Sequence, residues 1–311
     1  EYGSIVGFTT QELKDYFAGY IENAARQLGA EPEALLQRLT GYYDGYCFEK
    51  TATVRVMNPW SVMSFLIYPT RGFRDHWFQT GGQPSVLKDL FSSGLLKDPK
   101  NFTAVKSISF SQLGGPAIGE NFSEVDLLTQ TGYLTIKSVD GSIAIVDYST
   151  EEVRHAMAGM YLYQLLGKTI EQAGVMGFAI RLAKDNPETL VRIFNRLLET
   201  VDYEAYTIEE AKSVLAVIQV AMIRVRLSPV IKVIAMAESV LEVKAGERSI
   251  VLALEYCHPD QEAEQLLQVA VGQLEELTAG MPGGRNELLR IALVFSEIEK
   301  RIVLSSVVPP T

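Results

Sequence analysis

Glu255 closes the apolar run SIVLALE (Ser249 to Glu255), and Cys257 follows two positions later. A carboxylate at the end of an apolar strand can hold a cation if a second acid stands on the neighbouring strand. If the turn before this run lies near Gly246, Glu255 sits opposite about position 237, and Glu238 is the nearest acid. Glu242 falls too close to the turn. Two such carboxylates suit Mg²⁺, a hard cation that prefers oxygen ligands. The ion would help form hydroxide and stabilise charge on a phosphate. Metal-dependent nucleases commonly end such a strand with Glu-x-Lys, because residues two apart point to the same face. Here the third position is Cys257, neutral near pH 7 unless its pKa is depressed, and nearby acids push it the other way. Lys232 and Lys244 could approach from elsewhere, although no spacing demands it.

Other chemistry is poorly served. Cys257 and His258 are adjacent and would face opposite sides of a strand, so they cannot form a nucleophile–base pair. His76 and His155 are isolated. Cys47 and Cys257 are the two cysteines, which gives neither a disulfide framework nor zinc spacing, and a reducing cytoplasm is expected. Nothing reads Gly-x4-Gly-Lys-[Ser/Thr], the loop that cradles phosphates. The 311 residues carry a net charge of −10, which disfavours broad binding to nucleic acid but leaves a local basic groove open. No apolar run reaches the roughly 18 to 20 residues of a membrane span. The start, EYGSIVGFTTQEL, reads like the middle of a longer protein.

The elements that must position Glu238 and Glu255 follow from periodicity. FTTQELKDYFAGYIENAARQL is a helix opened by a capping box, with Glu12 three residues after Thr9. PEALLQRL is a second helix. Asp44-Gly45 marks a bend, Asn58-Pro59 opens a helix, and PSVLKDLFSSG makes a short one that stops at Gly94. After the helix SEVDLLTQ, strands YLTIKSV and SIAIVDY turn at Asp140-Gly141, and a helix capped by Ser149 or Thr150 follows. TLVRIFNRLLETV and IEEAKSVLAVIQVAMIRV are long helices. PVIKVIAMAESVLEV and SIVLALEY are two strands around the turn KAGER. The helix QEAEQLLQVAVGQLEEL comes next, and PGGRNELLRIALVFSEIEKRIVLSSV supplies one or two more strands.

Four strings in one order carry more than pattern: YYDGYCFE, VMNPWSVMSFL, HWFQTGGQPSVLKDLF and DLLTQTGYLTIKS. They resemble a large, mostly bacterial family that joins an AAA-ATPase-like domain to a C-terminal PD-(D/E)XK nuclease-like domain. The matching residues are Tyr43, Gly45, Tyr46, Asn58, Pro59, Trp60, Ser61, Trp77, Thr80, Gly81 and Gln130 to Ile136. The resemblance covers nearly the whole chain and weakens toward its end. It implies a mixed α/β fold: a helical segment following an ATPase-like core over 1–106, a winged-helix-like unit over 107–167, and a PD-(D/E)XK-type domain with a small mixed sheet over 168–311. The aromatic strings then fix turns and fill a core, with a binding role for Tyr43, Tyr46 or Trp60 as the alternative.

The resemblance also assigns roles. Glu238 stands where the family has its metal-binding Asp, with Ala235 and Met236 replacing Gly and Arg. Glu255 is the strand glutamate. Gln268 corresponds to a helical glutamine, with Leu274 where a tyrosine is expected. Glu209, or Glu210 beside it, fits a glutamate on the preceding helix, followed here by Lys212-Ser213 instead of Tyr-His. The carboxylate skeleton survives in part and the lysine does not. The expected function is a degenerate, inactive nuclease-like module of an ATPase-like protein, binding a protein partner or the rest of a larger chain, with nucleic acid as another partner class. Such a module needs no cofactor. The alternative is a Mg²⁺-dependent DNA or RNA nuclease using Glu209, Glu238, Glu255 and Gln268, with the metal on Glu238 and Glu255.

Overall fold

The computed structural model describes residues 3–77, 87, 91, 94–113, 123–234, 237–278 and 288–309. Thr80, Gly81 and most of the helix expected over 84–94 lie outside this set, as does the Gly-containing turn before Leu288. The fold is mixed α/β and divides into two compact units. The first comprises 1–87 and 105–157, and the second 88–104 and 158–311. The helical segment and the hairpin expected from sequence thus share one unit, while 88–104 joins the other. Asp98 explains part of that allegiance, since it accepts hydrogen bonds from the Lys100 backbone N–H (3.1 Å) and Ser213 Oγ (2.8 Å).

The first unit opens with α1 (Thr10–Tyr16) and α2 (Ala18–Leu28). The capping box forms: Glu12 N–H donates to Thr9 Oγ1 at 3.2 Å, and Thr9 N–H to Glu12 Oε2 at 2.8 Å. The helix expected as one piece breaks at Phe17, whose backbone leaves the helical region. The break lets Phe17 pack against Phe8, with ring centroids 5.0 Å apart. Next come α3 (Pro32–Tyr43), the short antiparallel pair β1 (Asp44–Tyr46) and β2 (Val56–Met57), and α4 (Pro59–Ile67). Asn58 caps α4 through its side chain, as its place before Pro59 suggests. Leu13, Leu35, Leu39, Tyr43 and Phe65 form the core.

The bend expected at Asp44-Gly45 is instead part of β1. Gly45 has φ 142°, and a Cβ there would lie 2.1 Å from the Ser149 carbonyl oxygen. The glycine serves a close approach of two backbones. A three-stranded antiparallel sheet completes the unit in the order β3 (Lys106–Ser109), β5 (Ile143–Tyr148), β4 (Leu134–Asp140). Helix α5 (Glu124–Gln130) precedes β4, and α6 (Glu151–Leu166) follows β5.

The second unit is built on a five-stranded sheet. Helices α7 (Phe178–Lys184), α8 (Pro187–Leu198) and α9 (Ala211–Arg224) lead into it. The stretch expected as one strand before the KAGER turn is two, β6 (Val230–Ile234) and β7 (Ala237–Ala245). The turn then feeds β8 (Arg248–Cys257), and α10 (Ala263–Thr278) crosses over to β9 (Leu288–Ser296). A hairpin to β10 (Arg301–Val307) ends the sheet. Spatial order is β10-β9-β8-β7-β6, antiparallel except for the parallel pair β8–β9. Buried on both faces, β8 reads as a continuous apolar run. Val240, Val251, Ala253 and Ala292 pack with Ala270 and Leu274 of α10.

Candidate functional site

Alternation along β8 decides what can meet Glu255. Val251 and Ala253 pack with α10 residues, so Glu255 and Cys257 share that face and Tyr256 takes the other. Tyr256 lies 5.5 Å from the Phe295 ring and donates its hydroxyl to the Ile208 carbonyl at 3.2 Å. Glu255 is half-buried and accepts a 2.6 Å hydrogen bond at Oε1 from Gln273 Nε2 of α10. Gln273 Oε1 accepts in turn from Ser239 Oγ of β7 at 2.9 Å. Burial holds the Glu255 carboxyl above its ordinary pKa, and the Gln273 amide offsets part of that rise. Ser239, Gln273 and Glu255 thus form a three-residue chain joining two strands and the crossover helix.

Ser239 reaches α10 because β7 carries an extra residue. Pairing with β6 runs from Lys232↔Val240 to Ile234↔Ala237, so two steps on β6 oppose three on β7. Such a bulge breaks alternation. Ser239 and Val240, though adjacent, both serve the α10 face. The β7–β8 register includes Val240↔Ala253; continued without interruption it would set Glu238 opposite Glu255. Glu238 belongs to β7, and its side chain lies outside the described residues.

The remaining candidates have other surroundings. Gln268 is exposed on α10; the glutamine that meets Glu255 is Gln273, five residues later. Glu209 is exposed in the loop before α9, and its charge acts on the Tyr256 hydroxyl, on the opposite face of β8. Glu210 pairs with Lys100 at 2.7 Å. At the lysine position, Cys257 is buried, with Sγ 3.6 Å from the carbonyl oxygens of His258 and Gln261. Burial, then the charges of Asp260 and Glu264, push its thiol pKa up. His258 pairs with Glu297 at 2.8 Å. Lys232 is paired with Glu242, and Lys244 is exposed near the turn.

Among the described residues, no group of three or more His, Cys, Asp and Glu is placed to hold a metal ion. Around Glu255 two described oxygens are engaged in hydrogen bonds. Glu255 Oε1 already accepts an amide proton, and Gln273 Oε1 accepts from Ser239. A hard divalent cation needs several free oxygens.

A second buried acid, unforeseen from the sequence, lies in the first unit. Glu152, in the first turn of α6, is fully buried. Its Oε1 accepts from Ser61 Oγ at 3.0 Å and from the Trp77 backbone N–H at 2.8 Å. The His76 backbone also acts on the carboxyl, and Oε2 meets no hydrogen-bond partner of good geometry among the described residues. Burial raises its pKa to about 7 against the lowering effect of those donors. The acid therefore fastens α4 and the 76–77 segment to the start of α6. The motif residues divide around it. Tyr43 is fully buried and tied to the Arg74 backbone, whereas Trp60 is half-exposed. No family model, curated protein or solved structure matches the chain. No described helix is long and apolar enough to cross a membrane.

Proposed function

We propose that the second unit is a PD-(D/E)XK nuclease-like module without catalysis, serving an ATPase-like protein as a binding or regulatory surface. The order helix α9, antiparallel β6-β7-β8, crossover α10, parallel β9 supports the nuclease-like part. In the first unit, the sequence α5-β4-β5-α6 with its three-stranded sheet supports a winged-helix-like element. One observation carries the loss of catalysis. Glu255 shares its face with an amide and a buried thiol, where the chemistry needs a cation and a lysine. The net charge of −10 favours a protein partner, or the rest of a larger chain, over free nucleic acid. The second reading, a Mg²⁺-dependent nuclease on Glu209, Glu238, Glu255 and Gln268, rests on Glu255 and on the place of Glu238 in β7.

The deciding experiment incubates supercoiled and single-stranded DNA with wild type and Glu255→Ala, in Mg²⁺ and in Mn²⁺. The proposal expects the same background from both proteins. Metal-dependent cutting by wild type that disappears in Glu255→Ala overturns it.

A further inference from the structure

The first unit contains a cavity of about 260 Å³, walled by the family-like aromatic strings. Tyr46 and Phe48 line it with parallel rings, 6.2 Å between centroids. Trp77 lines it too, its backbone N–H held by Glu152. Between Trp77 and Tyr46 sits Gly132 with φ +82°; a Cβ there would lie 3.7 Å from the Trp77 ring and 3.9 Å from the Tyr46 ring. Absence of a side chain at Gly132 therefore keeps the space between the two rings open. Phe48 is 59% exposed, which places an aromatic surface at a solvent-accessible edge.

The polar lining is sparse and uncharged. Asn58 Oδ1 is occupied by the Trp60 and Ser61 backbone N–H groups, so its NH₂ is the donor it can offer. Gln130 commits its Nε2 to Asp126, so its carbonyl oxygen is the acceptor it can offer. The buried Tyr46 hydroxyl lies beside Ser149 and Asn58 without a hydrogen bond of good geometry. Aromatic walls with a few convergent polar groups are the usual make-up of a small-molecule site. Among the described residues no Lys, Arg, Asp or Glu lines this one, which favours a ligand whose seated part carries no charge.

We propose that this cavity binds a neutral planar heteroaromatic ring of nucleobase type, stacked on the Phe48, Tyr46 and Trp77 aromatics, with a donor–acceptor edge read by Asn58 and Gln130. The proposal concerns the first unit alone and stands whether or not the second unit proves to be a nuclease. The ring can come from a free nucleoside or from a base of a single strand, and both sources enter the test.

Trp60 and Trp77 are the two tryptophans, so a ¹⁵N-labelled protein shows two indole N–H signals, and Trp60→Phe assigns that of Trp77. The full chain is titrated with adenosine, guanosine, cytidine, uridine, adenosine monophosphate, a short single-stranded oligonucleotide and N-acetyltyrosine amide. The expected result is a saturable shift of the Trp77 signal with at least one nucleoside and none with N-acetyltyrosine amide. The monophosphate and the oligonucleotide should bind no tighter than the nucleoside. Phe48→Ala, at an exposed position, should weaken binding about tenfold, as loss of a stacked base does, while leaving the melting temperature unchanged. Silence from every nucleoside, equal binding of N-acetyltyrosine amide, affinity that depends on the phosphate, or binding indifferent to Phe48→Ala each overturns the proposal.

Discussion

Glu152 should make the first unit's stability fall as pH rises through neutrality, and Glu152→Gln should remove that dependence. The carboxyl is fully buried, and its pKa is raised from 4.5 to about 7. The folded state therefore holds the proton more tightly than the unfolded chain. Its stabilising contribution is complete below about pH 4.5 and is lost as pH climbs past 7. At about 1.4 kcal/mol per decade, the whole effect comes to about 3 kcal/mol, of which about 2.5 kcal/mol falls between pH 5 and pH 8. Glutamine keeps the acceptor for Ser61 and Trp77 and cannot ionise. Both tryptophans belong to the first unit, so urea unfolding followed by their fluorescence reports on it. Measured at pH 5, 6, 7 and 8, the unfolding free energy of Glu152→Gln minus that of wild type should grow by about 2.5 kcal/mol over this range. Asp75, whose charge adds to the rise, supplies a control: Asp75→Asn should shrink the slope without abolishing it. A difference that stays flat from pH 5 to pH 8 would refute the account of Glu152 as a proton-holding fastener.

Three further outcomes follow from single contacts. Gly45→Ala should destabilise the first unit by more than about 2 kcal/mol, since a methyl group cannot share space with the Ser149 carbonyl and φ 142° excludes it independently; a thermal melt measures this. Thr9→Ala should cost about 1 kcal/mol by opening the capping box, read from urea midpoints. Gln273→Ala should cost about 2 kcal/mol and raise the Glu255 pKa further, because the amide it removes lowers that pKa; carboxyl ¹³C titration of Glu255 checks the direction.

Local rules carried much of the fold. The capping box at Thr9, the Asn58 cap, the hairpin of β4 and β5 (whose turn falls one residue later than expected, at Gly141-Ser142) and the pairing of β7 with β8 all depend on residues close in sequence, and the chain shows them directly. Features fixed at long range were hidden. Gly45 resembles a turn residue until Ser149, over a hundred positions later, is seen against it. The bulge in β7 leaves no local mark, since Glu238, Ser239 and Val240 read as ordinary strand residues. Gln273 was more accessible than Gln268 suggests. Buried Ala270 and Leu274 define the sheet-facing side of α10. Gln273 lies three residues from one and next to the other, whereas Gln268 falls on the exposed side. Once that side is known, helical periodicity favours Gln273 as the residue that looks at Glu255.

What stands beside Glu255 also restricts how it can behave. The amide of Gln273 can turn either its oxygen or its nitrogen toward the acid. Ser239 Oγ donates to the oxygen, which leaves the nitrogen for Glu255. A hydroxyl on one strand thus fixes a donor against a carboxylate on the next, through a helix that neither residue belongs to. If that relay operates, Ser239→Ala and Glu255→Ala should be coupled although no direct contact joins them. Their combined cost should differ from the sum of the single costs by about 0.5–1 kcal/mol, in the range found for members of one hydrogen-bond network. The coupling should disappear when both changes are repeated in Gln273→Leu. Urea unfolding of wild type and the seven variants of the cube measures it. Additivity in both backgrounds would mean that Ser239 does not orient the amide. Gln273 could then turn its oxygen toward Glu255, and this position would no longer be held to supplying an amide proton to the acid.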